Sequence, residues 1–357
     1  MRRNSWIVLL LITIVATGAA IWVAMRPEIA GDLDRRAGTM FPELRDDLDL
    51  VASLSVKSAD GSFTIARGAG GTWGLVEKGG YPVPADQVKK ALVALASLEF
   101  IEAKTELPER YGKIGVSDVG ADGSDAVEIA AKDGDGKVMA SLLLGKTKRP
   151  EAGTRPAEIY VRVPGEARAW LVSGRFDVKR KAIDWLDKNT VQIKGERIAE
   201  ARYSWPDSTE VHLSRGAEGA PVTLEDIPEG RKAKAESDLK TMLEVLEFIT
   251  YVDVAPAEDL DFSDAGEAHL RTFDGLAASV RIKPEADGKE SSAWITVDVS
   301  AGDDASDEVR QEAAAMADRL DGWAYRLPGY RADRLQRRMA DLTEPVEASG
   351  TAGATGN

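Results

Sequence analysis

Few residues in this chain combine type and spacing in a way that could do chemistry. Gly145-Lys146-Thr147 has the ending of a phosphate-binding loop. Such a loop needs a glycine five positions before Gly145, where this chain has Ala140, and it must open a helix. Here the segment closes a strand-like run before Arg149-Pro150, so it reads as a strand end with a basic loop. Asp133-Gly134-Asp135-Gly136-Lys137 begins like a calcium loop. Its fifth and twelfth positions are Lys137 and Leu144, neither of which supplies the oxygen a calcium loop requires. A hairpin turn explains the paired Asp-Gly better. His212 could be set beside Glu210 and Ser214, but residues two apart merely share one strand face and make no triad. His269 has no acid-and-nucleophile pattern near it. The 60 Asp plus Glu contain no pair that stands out as an acid and its base.

Two further groups invite a binding role. Arg331, Arg334, Arg337 and Arg338 recur at helical spacing near the end of the chain. They would suit anionic lipid or an acidic partner, though a solvated face paired with Asp333 and Asp341 is the favoured reading. Trp73, Trp170, Trp294 and Trp323 could stack on sugars. Their place in alternating strands favours core packing instead. No catalytic, cofactor-binding or metal-ligating residue is therefore assigned, and no enzyme activity or cofactor is expected.

Composition narrows the field further. The 357 residues carry 46 Lys plus Arg, two His and no Cys, for a formal charge of −14. Nucleic-acid binding is not expected, because neutralising phosphates needs a basic footprint. Without cysteine there are no disulfides and no thiolate chemistry. Two histidines leave little room for a histidine-rich metal site.

The elements that would position these residues begin with an anchor. Trp6 to Met25 is a run of twenty residues with no charged side chain. In helical form it would rise about 30 Å, the thickness of a bilayer's hydrocarbon core. Arg2, Arg3 and Arg26 flank it, and Trp6 and Trp22 suit the two interfaces. A cleaved signal peptide ending at Gly18-Ala19-Ala20 is the alternative; the apolar run continuing through Ile21, Trp22 and Val23 argues against it. The short leader before the run suggests a bacterial signal anchor, with the bulk of the chain in the periplasm.

A duplication organises the rest. Val88, Ala91, Leu92, Leu95 and Leu98 form one helical face, and Leu239, Met242, Leu243, Leu246 and Ile249 repeat it 151 residues later. Both helices, over 85–99 and 237–250, leave through an aromatic–aliphatic–acid exit: Phe100-Ile101-Glu102 and Tyr251-Val252-Asp253. Each is preceded by a hairpin, Leu54–Ser58 with Phe63–Arg67 and Ala201–Trp205 with Val211–Arg215, and then by a third strand. Each is followed by further strands and a closing helix, one ending near Trp185-Leu186 and the other near Leu342. The second copy alone inserts an acidic helix over about Asp307 to Leu320. The expected fold is α+β: an N-terminal transmembrane helix, then two tandem repeats of antiparallel sheet covered by amphipathic helices. The expected divisions are 1–26 anchor, 27–45 stalk, 46–190 first repeat, 191–342 second repeat and 343–357 disordered tail.

Gly79-Gly80-Tyr81-Pro82-Val83, Lys104-Thr105, Pro108-Glu109-Arg110-Tyr111, Gly115-Val116, Leu144-Gly145-Lys146, Tyr160-Val161-Arg162 and Trp170-Leu171-Val172 follow one another in an order that resembles the domain-of-unknown-function family 4340. Phe273-Asp274-Gly275-Leu276 and Gly322-Trp323-Ala324-Tyr325 fit the second half of such proteins, so the resemblance covers about residues 45–342. It implies an envelope protein with one membrane helix, associated with gliding-motility-type ABC export systems, and it carries no catalytic residues. The expected function is that of a non-catalytic, membrane-anchored accessory component of an ABC-type export or cell-envelope complex. Its expected partners are the bilayer, through residues 6–25, and a membrane protein of the transport system. A periplasmic glycan- or lipid-binding module, or an envelope hydrolase, is the alternative.

Overall fold

A computed structural model describes residues 38–148, 157–188, 190–247, 249–287 and 290–346. The expected anchor over 6–25 lies outside them. Among the described residues no helix is long and apolar enough to cross a membrane. The chain divides into two compact units between Trp185 and Leu186. Both are α+β with antiparallel sheets.

The first unit opens with helix α1 (Pro42–Asp46), followed by β1 (Val51–Ser58), β2 (Gly61–Arg67), β3 (Trp73–Leu75) and β4 (Tyr81–Val83). Helix α2 (Ala85–Ala96) leads to β5 (Glu99–Ala103) and the short α3 (Tyr111–Ile114). The unit closes with β6 (Val127–Asp133), β7 (Val138–Lys148), β8 (Glu158–Arg162) and β9 (Ala169–Ser173). The strands form one sheet in the order β4-β3-β2-β1-β6-β7-β8-β9-β5. Period-two alternation puts Leu54, Val56, Phe63, Ile65 and Ile129 on the buried face. Helix α2 lays Val88, Leu92 and Leu95 into the core. Burying each such side chain contributes roughly 2 kcal/mol. The helix ends at Ser97, whose hydroxyl donates to the Val93 carbonyl at 2.6 Å.

Two expectations about this unit are corrected. The last part of the 27–45 stalk is packed structure: Met40 and Phe41 are buried and Leu44 is fully so, and the Met40 amide donates to the Leu98 carbonyl. Burial of three apolar side chains holds α1 against α2, which a free stalk could not do. The closing helix expected before Trp185-Leu186 is reduced to one 3₁₀ turn, Ala182–Trp185. There the Trp185 indole donates to the Lys179 carbonyl at 2.9 Å, folding the segment back on itself where a helix would have to run straight.

The second unit contains β10 (Ile198–Ser204), β11 (Glu210–Arg215), β12 (Val222–Leu224) and β13 (Arg231–Ala233). Helix α4 (Glu236–Leu243), tightened into 3₁₀ over Glu244–Leu246, ends before the expected 250 and precedes β14 (Asp253–Pro256). Next come β15 (Gly266–Thr272), β16 (Leu276–Asp287), β17 (Glu290–Ala301), α5 (Asp307–Leu320) and β18 (Trp323–Leu327). Helices α6 (Gly329–Leu335) and α7 (Met339–Leu342) and strand β19 (Thr343–Pro345) complete it. The main sheet runs β12-β11-β10-β15-β16-β17-β18-β14. Apart from β4, this is the strand order of the first unit, element for element.

The inserted α5 falls over the residues the sequence indicates. Ser306 caps it by accepting from the Val309 amide, Asp307 and Glu308 suit the positive end, and Val309, Ala313, Met316 and Leu320 face inward. The expected tail is corrected at its start. Thr343–Pro345 pairs with β13, and Arg231 donates to both the hydroxyl and the carbonyl of the buried Thr343. Those bonds supply the order that composition does not suggest. Residues from 347 onward lie outside the described ones.

Candidate functional site

The motif residues of the first unit, scattered from Tyr111 to Ala169, converge on one knot. Arg162 is nearly buried, and its guanidinium serves three acceptors: the Val116 carbonyl at 3.0 Å, the Glu166 carbonyl at 2.9 Å and Asp118 Oδ1 at 2.5 Å. The same guanidinium lies 4.5 Å over the Tyr111 ring. The Tyr111 hydroxyl in turn donates to the Ala167 and Glu106 carbonyls. Val116 and Ala169 pack beside Tyr111, with Ile114 and Tyr160 at the margin. Gly115 adopts φ +76°, and a Cβ on Gly145 would fall 2.7 Å from Val116 Cγ1, so both glycines let the α3 turn lie directly on β7. Lys146 of the apparent phosphate-loop ending sits within β7 and donates to the Lys113 carbonyl. These bonds tie the α3 turn to β7.

The other candidate chemistry resolves similarly. Asp133 Oδ1 accepts from the amides of Asp135 at 3.0 Å and Lys137 at 2.8 Å, closing the β6–β7 turn. Among the described residues no cluster of His, Asp and Glu could hold a metal ion. Of the named tryptophans, Trp73, Trp170 and Trp294 are buried and Trp323 is partly so.

The histidines flank Arg202 in one row across the sheet, which the sequence conceals. Arg202 on β10 lies opposite His212 on β11 and opposite His269 on β15, and Ser279 on β16 continues the row. Beside it, Glu200 gathers Arg202 at 2.6 Å, His212 at 2.9 Å and Arg271 at 3.0 Å. The hydrogen bond from Arg202 holds the Glu200 carboxyl below its ordinary range, against an opposing contribution from burial. Ser214 donates instead to Glu225 at 2.5 Å. The row is a solvent-facing, ion-paired sheet surface, and only strand register could reveal it.

The arginines near the end of the chain are half-buried rather than forming a solvated face. The helix expected there breaks at 336–338 into α6 and α7. Arg337 reaches back to α4, donating to the Asp238 carbonyl and the Thr241 hydroxyl, each at 3.1 Å. Arg338 lies 3.7 Å over the Trp205 ring, and Asp341 accepts from its amide. Partial burial lowers the Arg338 pKa, opposed by Asp207 and Asp341.

Each unit holds a cleft at the same place in its fold, between the amphipathic helix and the segment after the last sheet strand. In the first unit it measures about 630 Å³ and lies between Asp86, Gln87, Lys90, Ala91 and Ala94 of α2 and the segment from Arg175 to Trp185. Its second-unit counterpart, about 480 Å³, is lined by Lys234, Asp238, Asp333, Gln336, Arg337 and Asp341. Gln87 and Asp238 are 151 residues apart, the offset of the two helices. Lys179 donates to Gln87 in one cleft as Arg337 approaches Asp238 in the other. The first has an apolar floor, with Lys90, Arg175 and Lys179 against Asp86 and Asp177 on its walls; the second is polar, with Asp238, Asp333 and Asp341 against Lys234 and Arg337. These clefts, which the sequence did not mark, are the candidate binding sites.

The fold defines a two-unit α+β protein built on antiparallel sheets. Residues 73–266, just over half of the chain, match the family described as "Domain of unknown function (DUF4340)", and the chain belongs to it. The match begins at β3 and ends at the first residue of β15, taking in the arginine knot and the first cleft. Comparison with curated proteins and with solved structures finds no match.

Proposed function

We propose that this is a non-catalytic, membrane-anchored extracytoplasmic protein that serves as an accessory component of an ABC-type export or cell-envelope complex. In this reading Trp6–Met25 spans the bacterial inner membrane and two duplicated α+β units stand in the periplasm. The carrying observation is the run of twenty uncharged residues followed by more than 300 residues of soluble composition. The shared strand order of the two units and the recurrence of the cleft support duplication. An anchor confines the units near the bilayer and raises their effective concentration for a membrane-embedded partner. Family membership supports the envelope setting through the association that the resemblance implies.

The test is isolation of the full-length protein from crosslinked native membranes in mild detergent, with its companions identified by mass spectrometry. Near-stoichiometric recovery of an ABC permease and ATPase is expected. Recovery of the protein alone, at equal crosslinking efficiency, would overturn the accessory reading.

A further inference from the structure

We propose that the cleft of the first unit is the seat for an acidic, amphipathic peptide segment of a protein partner. The inference deepens the accessory reading and rests on it for the partner being a protein. The floor of the cleft is apolar: Phe176 and Trp185 are buried beneath it, and Ala91 and Ala94 present small side chains that allow a backbone to approach. Trp185 is fixed by its bond to the Lys179 carbonyl and by an edge contact with Phe63 at 6.3 Å, so the floor is formed before any ligand arrives.

The walls supply the sign. The lining carries Lys90, Arg175 and Lys179 against Asp86 and Asp177, a small cationic excess in a chain whose formal charge is −14. Lys90 is neutralised by Asp86 at 2.8 Å. Among the described residues Arg175 has no carboxylate partner, and Lys179 donates only to the neutral Gln87 side chain and the Asp184 carbonyl. Two exposed cations thus stand over an apolar recess. That combination fits a helix with apolar residues on one side and carboxylates flanking them. A flat membrane surface fits less well, because the aromatic side chains are buried in the floor and do not project. The second cleft offers an internal contrast: Asp238, Asp333 and Asp341 line it against Lys234 and Arg337, so it lacks the cationic excess of the first.

The probe is a fluorescein-labelled peptide about fifteen residues long, of alanine and leucine with glutamate on its polar face, a length at which helix is populated. Its anisotropy is followed with full-length protein in phosphatidylcholine nanodiscs. Saturable binding is expected, weakening as salt rises past about 0.15 M, and a lysine version of the peptide should not bind. Arg175→Glu and, separately, Ala94→Trp should each weaken binding by about tenfold, the second with every cation intact. Gln336→Trp in the second cleft should leave it unchanged. Circular dichroism of each variant checks that the fold survives. Equal affinity for all variants, or no binding to the folded wild type, overturns the inference. So does capture of phosphatidylglycerol vesicles that Arg175→Glu abolishes while peptide binding stays intact, which would assign the cations to lipid. If native companions co-purify undiminished with Arg175→Glu and Ala94→Trp, the accessory reading stands and this seat falls. If no companions are recovered yet the peptide binds as described, the seat stands and the ABC-type partner falls.

Discussion

Replacing Arg162 by methionine is the sharpest test of how the family's motif residues work together. The side chain has 3% of its area exposed and serves two carbonyls and one carboxylate. Methionine fills much of the same volume, so packing is largely kept and the hydrogen bonds are what is lost. Each carbonyl left without a donor costs about 1–3 kcal/mol. Asp118 is 73% exposed, so water replaces the guanidinium there and its share is about 0–1 kcal/mol. The expected loss is therefore about 2–7 kcal/mol, with a central value near 4. At roughly 2–4 °C per kcal/mol for a domain of this size, that lowers Tm by about 10 °C. Thermal unfolding of residues 38–346, followed by calorimetry and tryptophan fluorescence, reads the effect. Arg162→Lys should fall between wild type and Arg162→Met, since one ammonium can satisfy only part of the set. Asp118→Asn should cost less than either. A drop below about 2 °C for Arg162→Met would refute the argument that the guanidinium holds the Tyr111–Val116 turn to the sheet.

Three other outcomes follow from the same structure. Asp133→Ala should lower stability by about 1 kcal/mol by removing the side-chain oxygen that closes the β6–β7 turn. Calcium or a chelator should leave Tm unchanged in wild type; a rise with calcium would reinstate an ion site there. The Glu200 carboxyl is held low by Arg202, and that of Asp274 by Thr272 and Arg197 despite the opposing effect of burial. A depressed folded pKa gives stability that is complete above the unfolded carboxylate value of about 4 and lost as pH falls through the folded one. Urea unfolding should therefore show stability falling below about pH 4, with the fall reduced in Glu200→Gln; identical profiles for the two would contradict this. Iodide should quench only a small part of the fluorescence of residues 38–346, since Trp73, Trp170, Trp185, Trp205 and Trp294 are buried and Trp323 is partly covered. Efficient quenching of most of it would mean exposed aromatic platforms of the kind a sugar site uses.

The local pieces of this protein are legible in its sequence. Alternation in Leu54–Ser58 and Ala201–Trp205, the Asp-Gly turns and the stripe Val88-Leu92-Leu95 depend on neighbours within a few residues, so period and turn chemistry expose them. The cap at Ser306 and the acids after it mark α5 for the same reason. The shared offset of 151 residues pairs the two amphipathic helices through their apolar positions alone. Whatever depends on which distant residues meet is settled by the tertiary fold. Arg162 finds Val116 and Asp118 some 46 and 44 positions away, and the row His212–Arg202–His269 exists only once strand register is set. The arginines after Tyr330 carry the spacing of a solvated helix, yet stacking on Trp205 and bonding to α4 draw them into the fold. The stretch after Phe176 has helical composition, but Trp185 turns it back, and the opening this leaves beside α2 is the first cleft. A cleft is the space between two surfaces distant in sequence, and no local pattern encodes a space.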